Sequence, residues 1–80
     1  MIPDKEGRLK IRANIAGDVE IRAKVGQMIA PRQILAVIEG EDQLESLSVF
    51  RLSVVEEILV KDGAEVPAST TVMIVREIPD

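Results

Sequence analysis

Lys24-Val25-Gly26-Gln27-Met28-Ile29 and Lys61-Asp62-Gly63-Ala64-Glu65-Val66 lay out one local pattern twice. The register between them runs on without a gap, so that Ile34-Leu35-Ala36-Val37-Ile38 falls on Thr71-Val72-Met73-Ile74-Val75. Upstream, Val19-Glu20 falls on Val55-Glu56 once one residue is skipped. Each half reads as a strand, a Lys-x-Gly turn, a short breaker and a buried strand, and such self-similarity marks two copies of one supersecondary unit. Three residues after each turn glycine stands a β-branched side chain, Ile29 or Val66, placed to plug an end of the core. Neither half can close a core alone. Packed face to face about a pseudo-twofold axis, the two can form a sandwich or flattened barrel.

The flanking segments fit strands as well. From Arg8 to Ile15 the alternation is strict, with Leu9, Ile11, Ala13 and Ile15 on one side and Arg8, Lys10, Arg12 and Asn14 on the other. A period of two means a strand with one buried face. After a turn at Ala16-Gly17-Asp18 the alternation resumes with Val19, Ile21, Ala23 and Val25 against Asp18, Glu20, Arg22 and Lys24. The acids of this second strand are placed to pair with the bases of the first if the two are neighbours. Ile34 to Ile38 is uninterrupted and apolar, as a strand buried on both faces would be. A polar tip follows, Glu39-Gly40-Glu41-Asp42-Gln43, in which Gly40 can take a positive φ at little cost. Further strands are expected from Leu44 to about Leu52, with Leu47 and Val49 on one face, from Val54 to Lys61, and from Thr71 to Val75. Pro67 to Ser69 is a breaker, and residues 1–7, with Pro3 and Gly7, read as an exposed lead-in. No segment carries a clean helical period.

Eighty residues make one domain, 1–80, and a chain of this size buries only about 60% of its unfolded surface. It has no cysteine and no histidine, so neither disulfides nor a Cys/His zinc site can staple it. The core must be aliphatic: 46% of the residues are hydrophobic and Phe50 is the one aromatic. Met28 and Met73, at the repeat ends, suit gap-filling roles there. The lack of cysteine, the absence of a basic-plus-apolar leader at Met1–Glu6 and the shortness of every apolar run lead to the expectation of a cytoplasmic, non-membrane domain. A formal charge of −4 argues against general affinity for nucleic acid or anionic lipid. Without His or Cys the chain lacks the usual general base and thiol nucleophile, and Ser46, Ser48, Ser53 and Ser69 have no recognisable activating partner. The expectation is a protein that is not an enzyme, with no catalytic residues, no metal and no cofactor.

The pattern Gly17-x-Val19, Lys24-x-Gly26, Gln33-x-Leu35-x-x-Ile38-Glu39, then Val55-x-Glu57-Ile58-Leu59-Val60-Lys61-Asp62-Gly63-x-x-Val66 resembles the biotinyl/lipoyl attachment domain family, which includes biotin carboxyl carrier protein-like domains. The resemblance runs from about Lys10 to Ile78 and is most specific from Glu57 to Val66. It implies an all-β barrel-sandwich hybrid of two four-stranded antiparallel sheets, with a protruding hairpin between the halves. In that family the hairpin presents one lysine, which ligases join to biotin or lipoate. Outside the hairpin tip, the chain departs from the pattern in three places. The first half is one residue short between its glycines, Ser53 stands where the family usually has glycine, and Val49-Phe50 replaces an Ala-Pro.

The hairpin is the telling departure. Counted without gaps from Glu39 to Val66, the biotinyl tip Glu-Ala-Met-Lys-Met corresponds to Glu39-Gly40-Glu41-Asp42-Gln43, so the lysine position is Asp42. No register slip supplies a lysine, because none lies between Lys24 and Lys61. The resemblance therefore implies a carrier-type scaffold with a lost modification site. Such a domain would act through protein contacts, as an accessory or interaction module near a carboxylase or acyltransferase subunit. The candidate interaction residues are Glu39, Gly40, Glu41, Asp42, Gln43 and Glu45. A solvated turn and a weak calcium site are the competing readings of the same acids, although their order matches no calcium loop. Two other functions stay open: a carrier that uses another lysine, Lys61 foremost, or a non-covalent ligand; and a small β-barrel adaptor binding protein or nucleic acid through Arg8, Lys10 and Arg12. Against the last, a single-strand binder needs stacking aromatics.

Overall fold

The computed structural model describes residues 7–79. Of the lead-in expected over residues 1–7, residues 1–6 lie outside the described residues. Gly7 is half-buried, and its carbonyl accepts a hydrogen bond from the Glu77 N–H at 2.9 Å. Eight strands follow one another: β1 (Arg8–Arg12), β2 (Gly17–Ile21), β3 (Met28–Ile29), β4 (Ile34–Glu39), β5 (Leu44–Ser48), β6 (Ser53–Ile58), β7 (Glu65–Val66) and β8 (Thr71–Glu77). They form two four-stranded antiparallel sheets, ordered β1-β8-β6-β3 and β5-β4-β2-β7. The architecture is the barrel-sandwich hybrid expected from the sequence. No helix among the described residues is long and apolar enough to cross a membrane.

The repeat is visible bond by bond. The pseudo-twofold exchanges β1 with β5, β2 with β6, β3 with β7 and β4 with β8, and each sheet draws strands from both halves. The Gly26 N–H donates to the Val55 carbonyl at 2.8 Å, and its counterpart Gly63 donates to Val19 at 2.7 Å. Likewise Arg22 donates to Leu35 and Leu59 to Val72, both at 2.8 Å. Both turn glycines hold positive φ, 88° at Gly26 and 86° at Gly63, a region closed to most side chains. Even the strained turn residues correspond: Arg32 and Ser69 hold φ of 69° and 74°. Four of the six strand pairings join one half to the other.

The core between the sheets is aliphatic. Ile29, Leu35, Ala36, Ile38, Val72, Met73 and Val75 are wholly buried, and Leu9, Ile11, Ala13, Val19, Leu47, Val49, Val55 and Val66 complete it. Ile29 and Val66 plug their ends as expected. Four sequence readings need correction. Ile34, at the start of β4, is exposed, so the run it opens is not buried on both faces throughout. Val25 is 62% exposed, because the strand stops at Ile21 and the turn carries Val25 outward. Met28 is 52% exposed on the short edge strand β3, so only Met73 of the pair fills the core. The bases of β1 and the acids of β2 do not pair, because these strands lie in different sheets. Arg8 instead meets Glu56, and Glu20 meets Arg22, each at 3.1 Å.

Two of the departures from the family pattern resolve locally. The extra residue of the second half is Glu56, which sits in a β-bulge where β6 pairs β8 between Val55 and Glu57, so that Glu20 corresponds to Glu57 and not, as the sequence reading has it, to Glu56. A bulge absorbs one extra residue without disturbing the flanking register. Ser53, where glycine was expected, is fully buried, and its hydroxyl donates to the Arg51 carbonyl at 2.9 Å.

Candidate functional site

β4 and β5 are continuous across the polar tip. Glu39 pairs with Leu44, and the Gly40 N–H donates to the Gln43 carbonyl at 2.8 Å, leaving Glu41 and Asp42 as the turn itself. Both are exposed, as is Gln43. Gly40 is not in the positive-φ region, contrary to the sequence reading; what it supplies is room. A Cβ there would stand 3.1 Å from the Ala16 carbonyl oxygen and 3.2 Å from the Ile15 Cδ1. The base of the hairpin is tighter still. A Cβ on Gly17 would lie 2.2 Å from the Glu39 carbonyl oxygen, which no side chain tolerates. The hairpin is thus closely packed at its root against the β1–β2 loop and the start of β2.

The acids expected to form one surface divide into two groups. Glu45 is half-buried and turned to the loop: its carboxylate accepts from the Asn14 backbone N–H at 2.7 Å and also from the Asn14 side-chain amide. It is a staple between β5 and that loop. Glu39 is exposed beside Glu41, and the register adds two carboxylates that sequence reasoning missed. Glu39 pairs across to Asp18 on β2, and Asp18 pairs across to Glu65 on β7. Directly opposed residues share a face of the sheet, so Glu39, Asp18 and Glu65 form one exposed row below the tip. Together with Glu41 they line a shallow depression against Gly17 and Pro67. This row is invisible in the sequence because its members come from three strands far apart in the chain. Among the described residues no group of three or more His, Cys, Asp or Glu side chains is arranged to hold a metal ion.

The lysines lie elsewhere. Lys10 is exposed on β1, while Lys24 and Lys61 are exposed at the repeat turns. The Lys24 N–H donates to the Gln27 Oε1 at 3.0 Å, and the Lys61 carbonyl accepts from the Ala64 N–H at 3.0 Å, so both backbones are built into turns. Neither turn is on the projecting hairpin. The basic stripe is also dispersed: Arg8 and Arg76 both grip Glu56, at 3.1 and 3.0 Å, leaving Lys10 and Arg12 as the outward cations of β1.

A prosthetic group carried on such a hairpin needs a nucleophilic amine at the tip. The tip here offers only the carboxylates of Glu41 and Asp42, so the residues present do not fit biotin or lipoate on this hairpin.

No protein-family model matches the sequence, and no curated protein matches it. Solved structures do. A single-chain, multi-domain long-chain acyl-CoA carboxylase contains a segment that superposes with a TM-score of 0.83 at 20% identity, covering 100% of this chain and 8% of that one. The urea carboxylase of Kluyveromyces lactis gives a TM-score of 0.75 at 21% identity, over 94% of this chain and 6% of that one. At these identities the likeness establishes the fold, and the chain spans only a small part of each carboxylase.

Proposed function

We propose that this chain is a biotinyl/lipoyl-like domain without a modification lysine, which performs no chemistry of its own and works through protein contacts. Its setting would be a carboxylase- or acyltransferase-type assembly in the cytoplasm. The observation that carries this reading is the pairing of a fold shared with segments of two carboxylases and a tip closed around Glu41-Asp42. The likeness to the carboxylases supports the setting, and the hairpin packed at its root supports a surface presented to a partner. The exposed part of that surface is Glu39, Glu41, Asp42 and Gln43, with Asp18 and Glu65 beside it and the half-buried Gly40 beneath it. Glu45 serves from behind by holding the hairpin to the β1–β2 loop.

Coexpression with biotin and lipoate ligases, followed by peptide mapping, tests this reading. No lysine should gain either group. A modified Lys61 or Lys24 would replace this account with that of a carrier built on a turn.

A further inference from the structure

The fold exposes four strand edges: β1 and β3 on one sheet, β5 and β7 on the other. An open edge offers unpaired backbone N–H and C=O groups to any other strand, and proteins blunt such edges by shortness or by charge. β3 and β7 are two residues each, too short to template pairing. β1 is guarded, since its outward side chains are Arg8, Lys10 and Arg12. β5, the pseudo-twofold counterpart of β1, carries neither device. It is five residues long, its exposed side chains are Leu44, Ser46 and Ser48, all uncharged, and its one charged residue, the half-buried Glu45, lies on the other face with its carboxylate held by Asn14.

The register shows which groups this edge presents. In an antiparallel ladder, bonded and non-bonded pairs alternate. With Gly40 and Gln43 bonded, the pair Ile38/Glu45 is bonded as well, while Glu39/Leu44 and Val37/Ser46 are not. The backbone groups of Leu44 and Ser46 therefore point away from β4. No described residue meets them through a backbone bond outside the ladder.

We propose that this edge joins a second copy of the chain, through antiparallel pairing of β5 with β5 about a twofold axis at Ser46. The sequence of the edge is self-complementary in that register. Ser46 faces Ser46, and Leu44 faces the small Ser48 of the other copy. Ser48 is paired within its own sheet to Ile34. Leu44, 68% exposed, thus reaches over a serine to Ile34, 37% exposed, twice in each dimer. The same operation on β1 would set Lys10 against Lys10 and Arg8 against Arg12, and like charges directly opposed are destabilising. The acidic row does not oppose itself, because Glu39 neighbours Leu44 and so lies at opposite ends of the joint in the two copies. The result is a continuous eight-stranded sheet with the two hairpin tips pointing apart. This inference stands independently of the function proposed above.

Sedimentation equilibrium over a wide concentration range, with amide hydrogen exchange, tests it. The wild-type chain should self-associate to a dimer, and the Ser46 amide should exchange more slowly as concentration rises. Ser46→Lys places two ammonium groups at the axis and should weaken association roughly fivefold or more. Leu44→Glu, with the circular dichroism spectrum unchanged, is the second variant and should do the same. A chain that stays monomeric at every concentration overturns the proposal. So does a dimer that both folded variants keep at full strength, or one in which Ser46 exchange ignores concentration, since each outcome places the contact elsewhere or gives the edge to another protein.

Discussion

Gly17 and Glu39 meet so closely across β2 and β4 that a methyl group on Gly17 would sit 2.2 Å from the Glu39 carbonyl oxygen. The contact fixes the root of the projecting hairpin. Its counterpart in the other half, Ser53, carries a side chain, so the glycine answers the hairpin's needs and not the strand's.

Gly17→Ala should therefore destabilise the fold well beyond a propensity effect, because backbone on both sides must move. A loss of about 1–3 kcal/mol is expected, the usual cost of overpacking. Ser53→Ala, which removes only the buried hydroxyl bonded to the Arg51 carbonyl, should cost less. Urea unfolding of the two variants checks the order.

Glu45 holds Asn14 through two hydrogen bonds from one carboxylate. Glu45→Ala should cost roughly 1.5–3 kcal/mol, the range for bonds to a charged group. It should also speed amide exchange in the β1–β2 loop and hairpin more than in β6 and β8. Uniform exchange changes would mean that Glu45 is no local staple.

Glu56 bridges Arg8 and Arg76 from a bulge, with its side chain 25% exposed. Glu56→Gln should lower stability by roughly 1 kcal/mol, and the difference from wild type should shrink at high salt, as expected of a partly exposed ion-pair network. Thermal unfolding at two salt concentrations is the measurement.

Asp42→Lys supplies an amine at the two-residue tip. The neighbours Glu41 and Gln43 stand where the biotinyl pattern has methionines, so this variant should remain a poor substrate for biotin ligase. Labelling as efficient as that of a genuine carrier domain would show that fold and lysine position suffice.

The sequence carried the architecture because the repeat is local. Each Lys-x-Gly turn, each plugging residue and each apolar run can be read within a dozen positions, and their spacing implies the twofold exchange of strands. Pairing across sheets is not local, and there the reading failed. β1 and β2 adjoin in sequence but enter different sheets, so their charges never meet. The row of Glu39, Asp18 and Glu65 exists only once β4, β2 and β7 are in register. Glu56 is the clearest case: in the sequence it aligns with Glu20, and in the fold it is the extra residue of a bulge whose carboxylate ties two strands. The hairpin was legible in its composition and in the position of Asp42. The division of labour between an exposed tip and the inward staple Glu45 required the position of Asn14.

The central claim is that the hairpin of this carrier-type fold bears no prosthetic group. Its most direct test is the intact mass of the wild-type chain after coexpression with biotin ligase and, separately, lipoate ligase, each with a genuine carrier domain as a control in the same cells. The account predicts the mass of the unmodified polypeptide in both cases while the control is loaded. A wild-type chain heavier by one biotinyl or lipoyl group would contradict it.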